Sequence, residues 1–172
     1  MDLKTFDALT TRLGTARVTR MTALRGLLGG ALAGGTRAAR AGVAIAQDFT
    51  GCPASYWMES EHFDSWPSTG YSPQDTLESV FDVPNQFGLD AVMLVDALGF
   101  KGGKGVAGAA RSLLRAGVTA LLNAAHPDVD YPLTVSSVIN RVDGALASND
   151  RKTMANAAKQ LNKDNNQHCP LT

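Results

Sequence analysis

The sequence predicts an all-α protein, a small bundle of about five helices joined by short loops. An aromatic-rich N-terminal loop precedes the helices, and one disulfide ties the ends. Three observations carry this expectation. From Leu77 onward apolar residues recur at helical spacing, and no stretch alternates apolar with polar as a half-buried strand would. Of 172 residues, 44% are apolar and 19% charged, enough to pack the core of one domain. Two cysteines, Cys52 and Cys169, lie near the two ends of the segment that carries this pattern.

Residues 1–46 read as an address and not as part of the bundle. The formal net charge is zero, but it is the sum of two opposite segments. Residues 1–46 hold seven Lys/Arg against Asp2 and Asp7, a net of +5, and residues 47–172 carry −5. No acidic residue falls between Ala8 and Gln47. Basic residues precede the weakly apolar run Leu27-Leu28-Gly29-Gly30-Ala31-Leu32-Ala33, and Ala44-Ile45-Ala46 follows before Gln47. This is the order of a secretory signal, with cleavage expected between Ala46 and Gln47. The stretch Thr19-Arg20-Met21-Thr22-Ala23-Leu24-Arg25 resembles a twin-arginine signal, although Met21 replaces the second Arg and Ala23 the usual Phe. The general secretory route therefore remains open beside it. Two other readings compete: a mitochondrial transit peptide, or a retained amphipathic helix on anionic lipid or in an assembly. Five glycines between Gly26 and Gly35 oppose the stable helix, since each costs about 1 kcal/mol relative to Ala. The expected location is secreted or cell-surface. No transmembrane span is expected, because no run of apolar residues is long enough.

The cysteines fit export. An even count in an exported chain reads as one bridge. Closing so long an interval removes unfolded-chain entropy worth roughly 5 kcal/mol. A pair of free, buried thiols is the alternative. A metal site is not expected: there is no C-x-x-C, and His168 next to Cys169 is not a usual ligand spacing.

Each element has its own signal. Residues 47–71 hold six of the eleven aromatic Phe, Trp and Tyr residues: Phe49, Tyr56, Trp57, Phe63, Trp66 and Tyr71. Pro53, Pro67 and Gly70 break long elements there, leaving a structured loop with a short helix across Ala54–Phe63. Ser72-Pro73-Gln74-Asp75 reads as a helix start, with a Ser cap and Pro at the first position, and Leu77, Val80 and Phe81 follow at helical spacing. Gly88–Leu98, apolar apart from Asp90 and Asp96, predicts a buried helix. Gly99–Gly105 is a loop. Val106–Ala125 is the longest helix, with Arg111, Arg115, Thr119 and Asn123 as its polar face and Pro127 as its stop. Thr134 caps a helix carrying Val135, Val138, Ile139, Val142, Ala145 and Leu146. Ser148-Asn149-Asp150 restarts the chain into a last helix with Met154, Ala157, Ala158 and Leu161 on one face. Asn162–Gln167 is polar and leads to Cys169.

The pattern Gly51-Cys52-Pro53, Tyr56-Trp57, His62-Phe63-Asp64-Ser65-Trp66 and Gly70-Tyr71-Ser72-Pro73 continues through Val80-Phe81 and Asp96-Ala97-Leu98. Later come the run from Ala120 to Pro127, then Tyr131-Pro132-Leu133-Thr134 and Cys169-Pro170-Leu171. Together these resemble a widespread bacterial extracellular domain of uncharacterised function, across residues 51–171. Met58 stands where that pattern carries Lys. The resemblance implies a secreted or surface-attached domain with a conserved disulfide, and no established reaction or ligand.

Chemistry concentrates in one place. Residues 56–66, with Tyr71, combine aromatic and ionisable groups: Tyr56, Trp57, Glu59, Glu61, His62, Asp64, Trp66 and Tyr71. In one reading the aromatics wedge the segment onto the bundle and the carboxylates face water. In a second, exposed rings stack on a sugar or another subunit. In a third, Glu59, Glu61, His62 and Asp64 supply acid/base groups or metal ligands. Other motifs fail. Lys101 and Lys104 in Gly99–Gly105 lack the order of a phosphate loop. Asp128-Val129-Asp130 starts like a calcium loop, but Pro132 and Leu133 break it. His126 before Pro127 reads as a cation at a helix C-terminus. No nucleophile elbow or zinc-helix motif is present, and a domain at −5 without a basic stripe does not suit nucleic acid. The expectation is a non-catalytic surface module that contacts other surface proteins or copies of itself. The alternative is a carbohydrate-binding module or small hydrolase using the same segment. No catalytic residue, metal or cofactor is assigned.

Overall fold

The computed structural model describes residues 48–172. The export signal expected over residues 1–46, and its cleavage point at Ala46 and Gln47, lie outside the described residues.

The longest helix organises the rest. Its sequence from Gly108 to Asn123 is apolar or small nearly all round, so it can be surrounded on most sides. This helix, α3 (Gly105–Ala125), buries every residue from Leu113 to Asn123 except Arg115. Four further helices pack around it: α1 (Ala54–Met58), α2 (Leu94–Leu98), α4 (Val135–Ala147) and α5 (Arg151–Asn165), with α5 making the most extensive contact. Short 3-10 turns fill the connections before α2. Among the described residues there is no strand, only one isolated antiparallel bridge between Thr76 and Met93. The expected all-α class, the aromatic N-terminal segment and the bridge between Cys52 and Cys169 are all present.

The later helices begin where their caps predict. The Thr134 hydroxyl accepts from the Ser137 backbone N–H, and the Asp150 carboxylate accepts from the Thr153 N–H at 2.7 Å. Val138, Val142, Ala145 and Leu146 of α4 face the core, as do Met154, Ala158 and Leu161 of α5. α4 approaches α3 closely at one point. A Cβ on Gly117 would lie 2.7 Å from the Val142 Cγ2, so glycine is what permits this spacing.

The region between the aromatic segment and α2 departs from expectation. The helix expected from Ser72 does not form. Asp75 does serve the Ser72 N–H at 2.8 Å, but the following donors turn away. Leu77 N–H bonds to Val92 O, Glu78 N–H to Asp90 O, and Leu94 N–H to Asp75 O. Two extended segments thus satisfy each other's backbone groups, and only a 3-10 turn remains at Leu77–Ser79. The same pairing shortens the helix expected at Gly88–Leu98 to Leu94–Leu98. The short helix expected across Ala54–Phe63 is α-helical only to Met58 and continues as a 3-10 turn over Ser60–Ser65. At the other end, α5 runs on through Asn165, into the stretch expected only to be polar.

Candidate functional site

The aromatic segment is fixed by the bridge and by one buried amide. Cys52 and Cys169 are joined with Cα atoms 4.4 Å apart. Directly beneath them sits Asn123 of α3, fully buried. Its Oδ1 accepts from the Cys52 N–H at 2.9 Å and from the Trp57 Nε1–H at 3.1 Å, while its Nδ2 donates to the Cys52 carbonyl at 2.9 Å. Nδ2 also reaches the Asn165 Oδ1 at 3.4 Å. Asn165 accepts from the Tyr131 hydroxyl at 2.8 Å and donates to the Ala116 carbonyl at 3.0 Å. One continuous polar network therefore joins the disulfide, α1, α3, α5 and the Tyr131 loop. Burial pushes the Tyr131 hydroxyl far above its usual range, so it stays a donor.

The rings of the segment face inward. Trp57 is 0% exposed and Trp66 1%. Trp66 Nε1–H donates to the Trp57 carbonyl at 3.0 Å, and the two indoles meet edge to face. Tyr56 is also buried, sharing a hydrogen bond with Ser65 Oγ and donating to the Leu171 carbonyl near the chain's end. His62, half-buried, stacks on Tyr56 with centroids 4.0 Å apart, and its Nε2 lies 3.5 Å from Glu59. That pair is solvent-facing and contributes little. Tyr71 is half-buried, and its phenol is pushed up by burial and then by Asp75. Tyr56, Trp57 and Trp66 thus present no face on which a sugar ring could stack.

The carboxylates point the other way. Glu59, Glu61 and Asp64 are exposed, as is Met58 at 43%. Among the described residues, no group of three or more His, Cys, Asp or Glu side chains is placed to hold a metal ion. The segment therefore brings its aromatics together inside and spreads its acids outside.

His126 corrects a sequence expectation. It does not act as a cation at the end of α3. It is buried, burial pushes its pKa down despite nearby Asp128, and its Nδ1 accepts from the Asp128 N–H at 3.2 Å. An accepting Nδ1 is an unprotonated one, so the ring is neutral with its proton on Nε2. It packs beside the Trp57 indole at 6.0 Å between centroids.

A second feature has no local signal in the sequence. A polar cleft of about 410 Å³ opens beside the bridge between α1, α3 and α5. Pro53, Ala54, Ser55, Arg115, Asn162, Asn165 and Asn166 line it. Arg115 was legible only as part of the polar face of α3. Asn165 had a readable signal, since it continues the Met154, Ala158, Leu161 stripe at the next helical step.

Charge is also partitioned along the chain. Residues 48–100 carry nine carboxylates and no Lys or Arg, whereas residues 101–172 carry nine Lys/Arg and five carboxylates. Comparison of this chain with models of known protein families, with curated proteins and with solved structures gives no match.

Proposed function

We propose that this chain is a non-catalytic module, exported to the cell surface or medium, that makes protein–protein contacts, first of all with copies of itself. One observation carries the reading: the division of residues 56–66 into bonded, buried rings and an outward set of Met58, Glu59, Glu61 and Asp64. The aromatic N–H and O–H groups that could orient a substrate are committed to holding the fold. What remains outside is one apolar side chain among carboxylates, a contact surface of the kind found at interface rims.

The charge partition supports self-contact. The acidic part of one copy, residues 48–100, complements the exposed Lys and Arg side chains of α3 and α5 in another. Such a contact is head-to-tail and steered by opposite charge. Export is supported by the bridge, which persists in oxidising compartments, and by the signal-like residues 1–46.

Sedimentation of the oxidised protein tests this. Association at about 0.05 M salt should weaken strongly at about 0.5 M, where the Debye length falls well below 10 Å. The pair Glu59→Lys and Glu61→Lys should abolish it while the fold persists. A protein that stays monomeric at low salt, or that associates regardless of these charges, contradicts the reading.

A further inference from the structure

We propose that the cleft beside the disulfide is a binding site for an acidic sugar, a polyhydroxyl ring bearing one oxyanion. The inference does not rest on the contact proposed above; Arg115, one of the exposed cations of α3, is the residue the two readings share.

The chemistry of the walls selects this class. Arg115 is exposed on α3 and makes no ion pair or side-chain hydrogen bond among the described residues. No described lining residue is a carboxylate. A guanidinium presents a planar fork that matches a carboxylate or sulfate. Around it stand Ser55, Asn162 and Asn166, whose hydroxyl and carboxamides each donate and accept. That pairing of donor with acceptor suits adjacent sugar hydroxyls. The described apolar lining is limited to Pro53 and Ala54, too little to hold the side chains of a bound peptide. A volume near 410 Å³ lies at the small end of ligand sites, which run from roughly 300 to 1,000 Å³.

The floor is built to hold shape. Asn165, 1% exposed, is locked from three sides by Tyr131, Asn123 and Ala116. Asn166 Nδ2 donates to the Asn162 carbonyl, which orients its Oδ1. The bridge pins Pro53 and Ala54 at the opposite wall. A ligand would meet a floor and one wall that need little ordering, leaving Arg115 as the side chain that orders on binding.

Calorimetric titration of the oxidised full chain with glucuronate, glucose 6-sulfate, glucose and acetate tests the site. Glucuronate or glucose 6-sulfate should bind about tenfold or more tighter than glucose, because a hydrogen bond to a charged group is worth at least that factor. Preference for one over the other identifies the oxyanion as carboxylate or sulfate. Arg115→Gln should remove this preference, and Asn162→Ala should weaken the charged sugar several-fold. Arg111→Gln, on the same helix but outside the cleft lining, should leave it unchanged. Both Arg115 and Asn162 are exposed, and a cooperative thermal melt matching that of the unsubstituted protein confirms that each variant is folded. Failure of both charged sugars to bind, equal binding of glucose, binding of acetate as tight as glucuronate, or insensitivity to Arg115→Gln would each overturn the proposal.

Discussion

Asn123 places one acceptor and one donor at a single point in the core and uses both. Replacing it with Leu keeps a similar volume but strands the Cys52 N–H, the Cys52 carbonyl and the Trp57 Nε1–H. Each stranded buried group costs about 1–3 kcal/mol. Asn123→Leu should therefore lose about 3 kcal/mol or more in urea unfolding with the bridge intact, and a loss below about 1 kcal/mol would show the network to be incidental. This role was not legible in the sequence. Asn123 falls in line with Arg111, Arg115 and Thr119, and a polar stripe reads as a wet face. The closing of α5 and the bridge over half of that stripe is a tertiary event, and only the all-apolar flanks of Asn123 hint at it. His126 departs from its sequence expectation for the same reason: its burial is set by tertiary packing. Its burial gives a pH signature with a definite sign. The unfolded chain takes up the His126 proton near pH 6.5, whereas the folded chain takes it up only at lower pH. The contribution is whole above about pH 6.5 and is lost as pH falls through the folded value. Thermal melts between pH 7 and 5 should show a falling midpoint, and His126→Gln should flatten that slope. An identical slope in the variant would refute the assignment.

Helices α4 and α5 were readable because local signals agreed: Thr134 and Asp150 at the caps and apolar residues at helical steps. Residues 72–98 were not, although Ser72-Pro73 with Asp75 is a sound start signal. Their backbone donors found carbonyls some fifteen residues away, as between Leu77 and Val92, and no local spacing encodes such a partner. The short α1 and α2 follow from that choice. Where α3 meets α4, the close approach at Gly117 inverts the usual effect of an added methyl. In a free helix Gly→Ala gains about 1 kcal/mol. At Gly117 the new methyl would meet Val142 Cγ2 at 2.7 Å, so Gly117→Ala should instead cost about 1–3 kcal/mol. In a Val142→Ala background the same change should become neutral or favourable. A gain from Gly117→Ala alone would mean that the two helices move apart freely.

At the scale of the molecule, the sequence showed the class, the bridge and the aromatic concentration, but not which way the aromatics face. Composition counts rings without saying which side of the segment they take. The structure turns Trp57 and Trp66 inward, which packs the segment onto the bundle beside the bridge and leaves its acids facing outward. The candidate cleft lay hidden because its walls come from α1, α3 and α5, distant in sequence. The proposed export and the Cys52–Cys169 bridge meet in one property of the protein, its mass and thiol state. Intact mass of the protein from its native host, alkylated with and without prior reduction, reads both together. The expected result is the mass of residues 47–172, taking up two alkyl groups only after reduction, one for each of Cys52 and Cys169. A full-length mass with both thiols alkylated without reductant would contradict it.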